Sequence, residues 1–344
     1  MEGKLNKESF KKGFELLKEK FHIFAPKRFE KKGRFSDTDL IKYAKIESLE
    51  EIVWNEKSFY SPKEIVFPIT QTIFYFTEDQ FMTPKPKDEK PVLVFVRPCD
   101  INGIKRLDKI YLSNGKDPDI YYKRLREKIK FAMIECTEGF DSCFCVSMNS
   151  NKTDDYSLAI RYSEDEVLIK IKDQEFSLLE EVMEETTFEP EFIKENKVKV
   201  SPPDIDEMPA EMYDHDMWRE YDSRCIACGR CNTTCITCSC FETQDIFSDD
   251  NPNMGERRRV WSCCHVDGFT KIAGGHSFRK RNGDKMRFKV FHKVYDYKKR
   301  FKESHMCVGC GRCDTACPEY ISYANSINKL TKAINELNGG KSDV

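Results

Sequence analysis

The chain has 344 residues, 39% of them hydrophobic and 34% charged, and a formal net charge of −2. That is an ordinary globular balance with material for about two domains, and it excludes a general affinity for nucleic acid or an anionic membrane. The opening MEGKLNKESFKKGFELL has no apolar core of signal-peptide length, and the longest apolar run, PVLVFV at 91–96, falls far short of the roughly 20 residues that span a bilayer, so a cytoplasmic protein is expected.

Phe10, Phe14, Leu17 and Phe21 recur at helical spacing among lysines and glutamates, which predicts an amphipathic helix over 7–22 packed on a core. FEKKGRF (29–35) reads as a short hairpin around Lys32-Gly33. PVLVFV (91–96) and KFAMIE (130–135) read as buried strands, each ending at a cysteine-bearing loop. YSLAIRY (156–162) and EVLIKI (166–171) alternate and predict an antiparallel pair. SLLEEVMEE (177–185) reads as a solvated helix. Pro202, Pro203 and Pro209 mark the best boundary, dividing an α+β or α/β domain (1–210) from a mostly helical ferredoxin-type domain (211–344).

Of the sixteen cysteines, twelve lie beyond that boundary. In a reducing compartment such clustering argues against disulfides and for metal ligands, and for an oxygen-sensitive protein from an anaerobic setting. Cys307, Cys310, Cys313 and Cys317 follow C-x2-C-x2-C-x3-C-P; Cys225, Cys228, Cys231 and Cys235 repeat the spacing with Ile236 in place of the proline. In proteins with two [4Fe–4S] clusters the fourth cysteine of each run serves the other cluster. The expected sets are therefore Cys225, Cys228, Cys231 with Cys317, and Cys307, Cys310, Cys313 with Cys235. Structural zinc takes four ligands as two separated pairs and leaves the third-cysteine spacing unexplained.

The insert at 236–306 holds Cys238, Cys240, Cys263, Cys264, His265 and AGGHSF, to which the spacing assigns no role. It also holds a basic run, 279–302, with eleven Lys/Arg against two Asp, which either sets positive charge near the clusters, docks a partner, or is a solvated face. Phe288, Phe291 and Tyr295 within it read as core. Upstream, RPCDING (97–103) and ECTEGFDSCFC (135–145) each follow a predicted strand. If those strands are neighbours, Cys99, Cys136, Cys143 and Cys145 converge and would hold a third [4Fe–4S] cluster. Buried free thiols and a single reactive Cys99 are the alternatives. No dinucleotide fingerprint, P-loop or nucleophile elbow occurs. The expectation is a conductor of electrons with no catalytic residues of its own.

With these residues in hand, the chain resembles the iron–sulfur electron-transfer component of the anaerobic sulfite reductases, through GRFSDTDLI, SPKEIVFPITQTIFYF, RPCDINGIKRLD, YLSNG, ECTEGFDSCFCVSMNSNKTD, YDSRCIACGRC, GERRRVWSCC, AGGHSFR, HKVYDYK and HMCVGCGRCDTACPEYI. The resemblance implies an Fe–S subunit that relays electrons between two others. One is a flavin- and NADH-binding reductase; the second is a siroheme/Fe–S subunit that reduces sulfite to sulfide. Two positions depart from that pattern: Ile236, where proline is usual, and the Cys263-Cys264 pair, where one cysteine is usual. The alternative is the Fe–S β subunit of cytosolic nickel–iron sulfhydrogenases, which shares VRPCD and AGGH. SDTDLI and YLSNG favour the sulfite reductase reading.

Overall fold

A computed structural model describes residues 1–85, 89–269 and 271–339. Twelve strands run in chain order: β1 (Glu2–Leu5), β2 (His22–Phe29), β3 (Leu40–Lys45), β4 (Thr70–Phe76), β5 (Phe81–Met82), β6 (Val92–Val96), β7 (Ile129–Ile134), β8 (Leu158–Tyr162), β9 (Val167–Ile171), β10 (Glu184–Glu185), β11 (Phe241–Phe247) and β12 (Gly255–Trp261). Eight form one mixed sheet in the order β10-β1-β9-β8-β7-β6-β2-β3. Its centre is parallel, β2 beside β6, β6 beside β7 and β7 beside β8, and is covered on both faces, which is why β6 and β7 read as unbroken apolar runs.

One face packs on the helix Lys7–Lys20, whose Phe10, Phe14 and Leu17 are buried against Leu93, Phe95 and Ile169. Asn6 caps this helix by accepting from the Ser9 amide. The other face packs on the helix Pro98–Leu112, and its core also takes in Ile236, Val308 and Cys310 from the C-terminal region. A third core joins Phe144, Met148 and Val200 to the helices Asn282–Phe291 and Tyr323–Gly339. Both of these cores draw on residues from either side of position 210.

The parallel pairing of β6 and β7 sets the loops after them side by side, as the convergence of Cys99 with Cys136 requires. β8 and β9 form the antiparallel pair. The turn after Phe29 lies where FEKKGRF placed it, but the returning strand starts only at Leu40. Residues 174–182 form 3-10 turns rather than a regular helix.

The expectation of a mostly helical C-terminal domain needs correction. β11 and β12, both inside the insert, pair with each other and then with β4 and β5 in a separate four-stranded antiparallel sheet. FETQDIF and GERRRVW carry charged or polar residues on both faces, because β11 is largely exposed, so no apolar alternation betrayed them.

Candidate metal centre

Each cysteine run wraps a tight loop before a short helix. Gly229 and Gly311 stand at the helix starts with φ of 74° and 67°, a left-handed conformation that glycine adopts without strain. Gly311 has a second reason to be glycine: a Cβ there would lie 2.0 Å from the Ser142 carbonyl oxygen. Gly309 is pressed in the same way on Phe144, whose amide donates to the Gly309 carbonyl at 2.7 Å. The loop carrying the upstream cysteines is thus seated directly on the second motif, and the Cys143 thiol donates to the Cys310 carbonyl at 3.6 Å.

Cys225, Cys228 and Cys231 of the first run and Cys313, Cys317 and Tyr323 of the second line one cavity, together with His265 and Lys289. Cys317 lies within electrostatic reach of Cys225, and Cys235 within reach of Cys307 and Cys310. The fourth cysteine of each run thus lies near cysteines of the other, and Cys313 lines the cavity of the first. Upstream, Cys145 neighbours Cys143, Cys136 and Cys310, and Cys99 neighbours Cys145 and Cys310. Backbone amides face the sulfurs: Gly309 N–H to Cys307 Sγ and Ile321 N–H to Cys317 Sγ, both at 3.4 Å. Burial pushes the Cys307 and Cys145 thiols up to about 12, so thiolates persist there only where a metal takes up their charge.

The strongest test of fit is charge. Lys63, Lys289 and Lys293 are 2%, 3% and 3% exposed, and none meets a carboxylate among the described residues. Lys289 lies beside Cys231, Cys313 and Cys238; Lys293, in a π-helical turn (His292–Asp296), lies beside Cys235 and Cys238. Burial opposes their charge, yet the surrounding cysteines outweigh it and hold both above the ordinary lysine range. A buried ammonium without a counter-charge costs many kcal/mol, and the negative charge of thiolate-bound iron–sulfur clusters is one that these lysines are placed to balance. Three of the eleven basic residues of the run, Lys285, Lys289 and Lys293, are thus buried. Of the readings left open for the run, charge set near the clusters is the one that Lys289 and Lys293 support.

His265, which sequence reasoning left without a role, supplies a second test. It is buried, and its Nε2 has no hydrogen-bond partner among the described residues. Burial, then Lys289 and Lys285, lower its pKa to about 3, so the ring is neutral. Asn232 Nδ2 lies 3.0 Å from His265 Nδ1, and Asn232 Oδ1 lies 3.4 Å from the Cys238 sulfur. Nδ1 also lies 3.4 Å from the Cys264 sulfur, and Nε2 stands beside the first motif's cavity. Since hydrogen bonds to cluster sulfur raise the potential, His265→Leu should lower that of the neighbouring cluster by on the order of 40 mV in a potentiometric EPR titration. An unshifted midpoint would remove His265 from this role.

Among the described residues no three Cys, His, Asp or Glu side chains gather closely enough for a single metal ion. A tetrahedral zinc site needs sulfurs roughly 3.8 Å apart, given Zn–S of about 2.3 Å; a polynuclear cluster holds its thiolates wider.

Residues 224–321 match the family described as "4Fe-4S dicluster domain". This region is a two-cluster iron–sulfur domain. The match implies two [4Fe–4S] clusters and electron transfer as the general activity. Across its length the chain is similar to "Sulfhydrogenase 2 subunit beta" of Pyrococcus furiosus, 29% identical over 346 residues, 96% of this chain and 98% of that one. No solved structure matches.

That similarity overturns the sulfite reductase expectation, and with it the siroheme partner: the relative is a sulfhydrogenase subunit, the reading held as the alternative. The segments that favoured sulfite reductase are weak discriminators. SDTDL forms an exposed turn between β2 and β3 whose cleft is shared with Arg230 and Thr315 of the two cysteine runs, and YLSNG closes the helix Pro98–Leu112, where Tyr111 donates to the Ser239 carbonyl.

Proposed function

We propose that this chain is the electron-carrying iron–sulfur subunit of a cytoplasmic sulfhydrogenase-type complex, lying between a flavin-binding reductase and a nickel–iron hydrogenase-type subunit. The buried lysines facing cysteines without any carboxylate carry the iron–sulfur part of this reading, and the full-length similarity supports the choice of complex. Cys225, Cys228, Cys231 and Cys317 would hold one cluster, and Cys307, Cys310, Cys313 and Cys235 the other. Cys99, Cys136, Cys143 and Cys145, brought to the ends of β6 and β7, would hold a third. Bound there, [4Fe–4S] groups supply one-electron exchange. The chain's own work is to keep the thiolates fixed, to balance their charge with Lys289 and Lys293, and to exclude water. Residues 1–210 would seat the third cluster, and 211–344 the crossed pair.

Crossed ligation makes a specific prediction. Cys317→Ser should disturb the same EPR signal as Cys225→Ser, and Cys235→Ser the same signal as Cys307→Ser. Cys235→Ser resembling Cys225→Ser would mean each run serves its own cluster. The choice of complex is tested by anaerobic purification of the tagged chain from its native source. Nickel should copurify, and hydrogen gas should bleach the clusters' visible absorption. Partners without nickel, and clusters indifferent to hydrogen, would sink the reading.

A further inference from the structure

Four cysteines lie outside the sets above, and the fold gathers them. Phe241 pairs with Trp261 at the open end of the β11–β12 hairpin, and the Ser262 amide donates to the Cys240 carbonyl at 2.9 Å. Cys238 and Cys240 enter this end, and Cys263 and Cys264 leave it. Cys238, Cys240 and Cys264 line one cleft with Lys289 and Lys293. The Cys263 sulfur packs so closely on Gly229 that a Cβ there would meet it at 2.8 Å, and its near neighbours include Cys240 and Cys264.

Lys63 reaches into the same end of the hairpin. Its ammonium donates to the Cys238 carbonyl at 2.6 Å and lies 3.8 Å from the centre of the Trp261 ring. It is buried, and the anion-forming groups near it are Cys238, Cys235 and Cys240. Burial, the largest influence on it, brings it down to about 8. Of those three cysteines, only Cys235 belongs to the double motif. Lys63 thus ties the Cys238 backbone and the Trp261 ring together at the end of the hairpin where the four cysteines converge. Lys289 and Lys293 line the cleft with Cys238, Cys240 and Cys264.

We propose that Cys238, Cys240, Cys263 and Cys264 hold a further iron–sulfur cluster at the open end of the β11–β12 hairpin, apart from the double motif. The arrangement needs no particular partner complex. It rests on cysteines already beside Cys231 and Cys235, so this cluster would sit next to the crossed pair.

Native mass spectrometry under anaerobic conditions tests it on folded protein alone. Folded Cys240→Ser and Cys264→Ser should each lack about four iron and four sulfide relative to wild type, while both EPR signals of the double motif remain. Folded variants with the wild-type mass of iron and sulfide would overturn the proposal, as would zinc at this site. Loss of the double-motif signals in wild type would instead count against the two-cluster reading. Should neither variant fold, alkylation of wild type decides. Cys238, Cys240 and Cys264 should resist iodoacetamide until a chelator removes iron, and ready labelling before chelation would overturn the proposal.

Discussion

Asp100→Asn is expected to lower the free energy of unfolding by about 3–5 kcal/mol, the cost of removing one partner of a buried ion pair. Asp100 is fully buried, and Arg312 is 3% exposed. Arg312 grips the carboxylate with two donors, Nη1 to Oδ1 at 2.5 Å and Nη2 to Oδ2 at 2.8 Å. Tyr43 donates to the same carboxylate at 3.0 Å, while Arg312 Nε and Nη2 donate to the Ser58 carbonyl and hydroxyl. The amide keeps the shape but leaves an uncompensated guanidinium. Because Asp100 follows Cys99 and Arg312 lies between Cys310 and Cys313, the pair ties the upstream cysteine loop to the second motif. Anaerobic denaturant titration should show the loss, with Asp100→Leu/Arg312→Met recovering much of it, since replacing both charges removes the stranded one. A loss under about 1 kcal/mol for the single variant would show that water reaches the pair.

This ion pair marks the limit of what the sequence discloses. The dicluster region was legible because the spacing of its two cysteine runs is local. The convergence of Cys99 with Cys136 was legible only as a condition, met once β6 and β7 proved to be parallel neighbours. Lys289 and Lys293 were visible as part of a basic run, but their inward direction depends on helix packing and on the π-helical turn, which leave no local pattern. Lys63 and His265 are each single residues brought in from distant segments, and only tertiary structure supplies their neighbours. β11 and β12 escaped notice because exposed strands lack apolar alternation.

The second large effect concerns the electron path. Cys310 is buried in the second motif, within electrostatic reach of Cys235, and its carbonyl accepts from Cys143. It stands where the upstream cysteines meet the crossed pair, so losing it should open the path at its middle. Substitutions merely around a metal site cost 10–100-fold in activity; removing a ligand should cost more than about 100-fold. The decisive measurement is hydrogen-driven reduction of the flavin-binding partner in a complex rebuilt with Cys310→Ala. The relay account predicts that this rate falls more than about 100-fold, while hydrogen-driven reduction of an artificial dye at the catalytic subunit stays at the wild-type rate. Undiminished reduction of the flavin would show that electrons bypass these clusters, and would contradict the account.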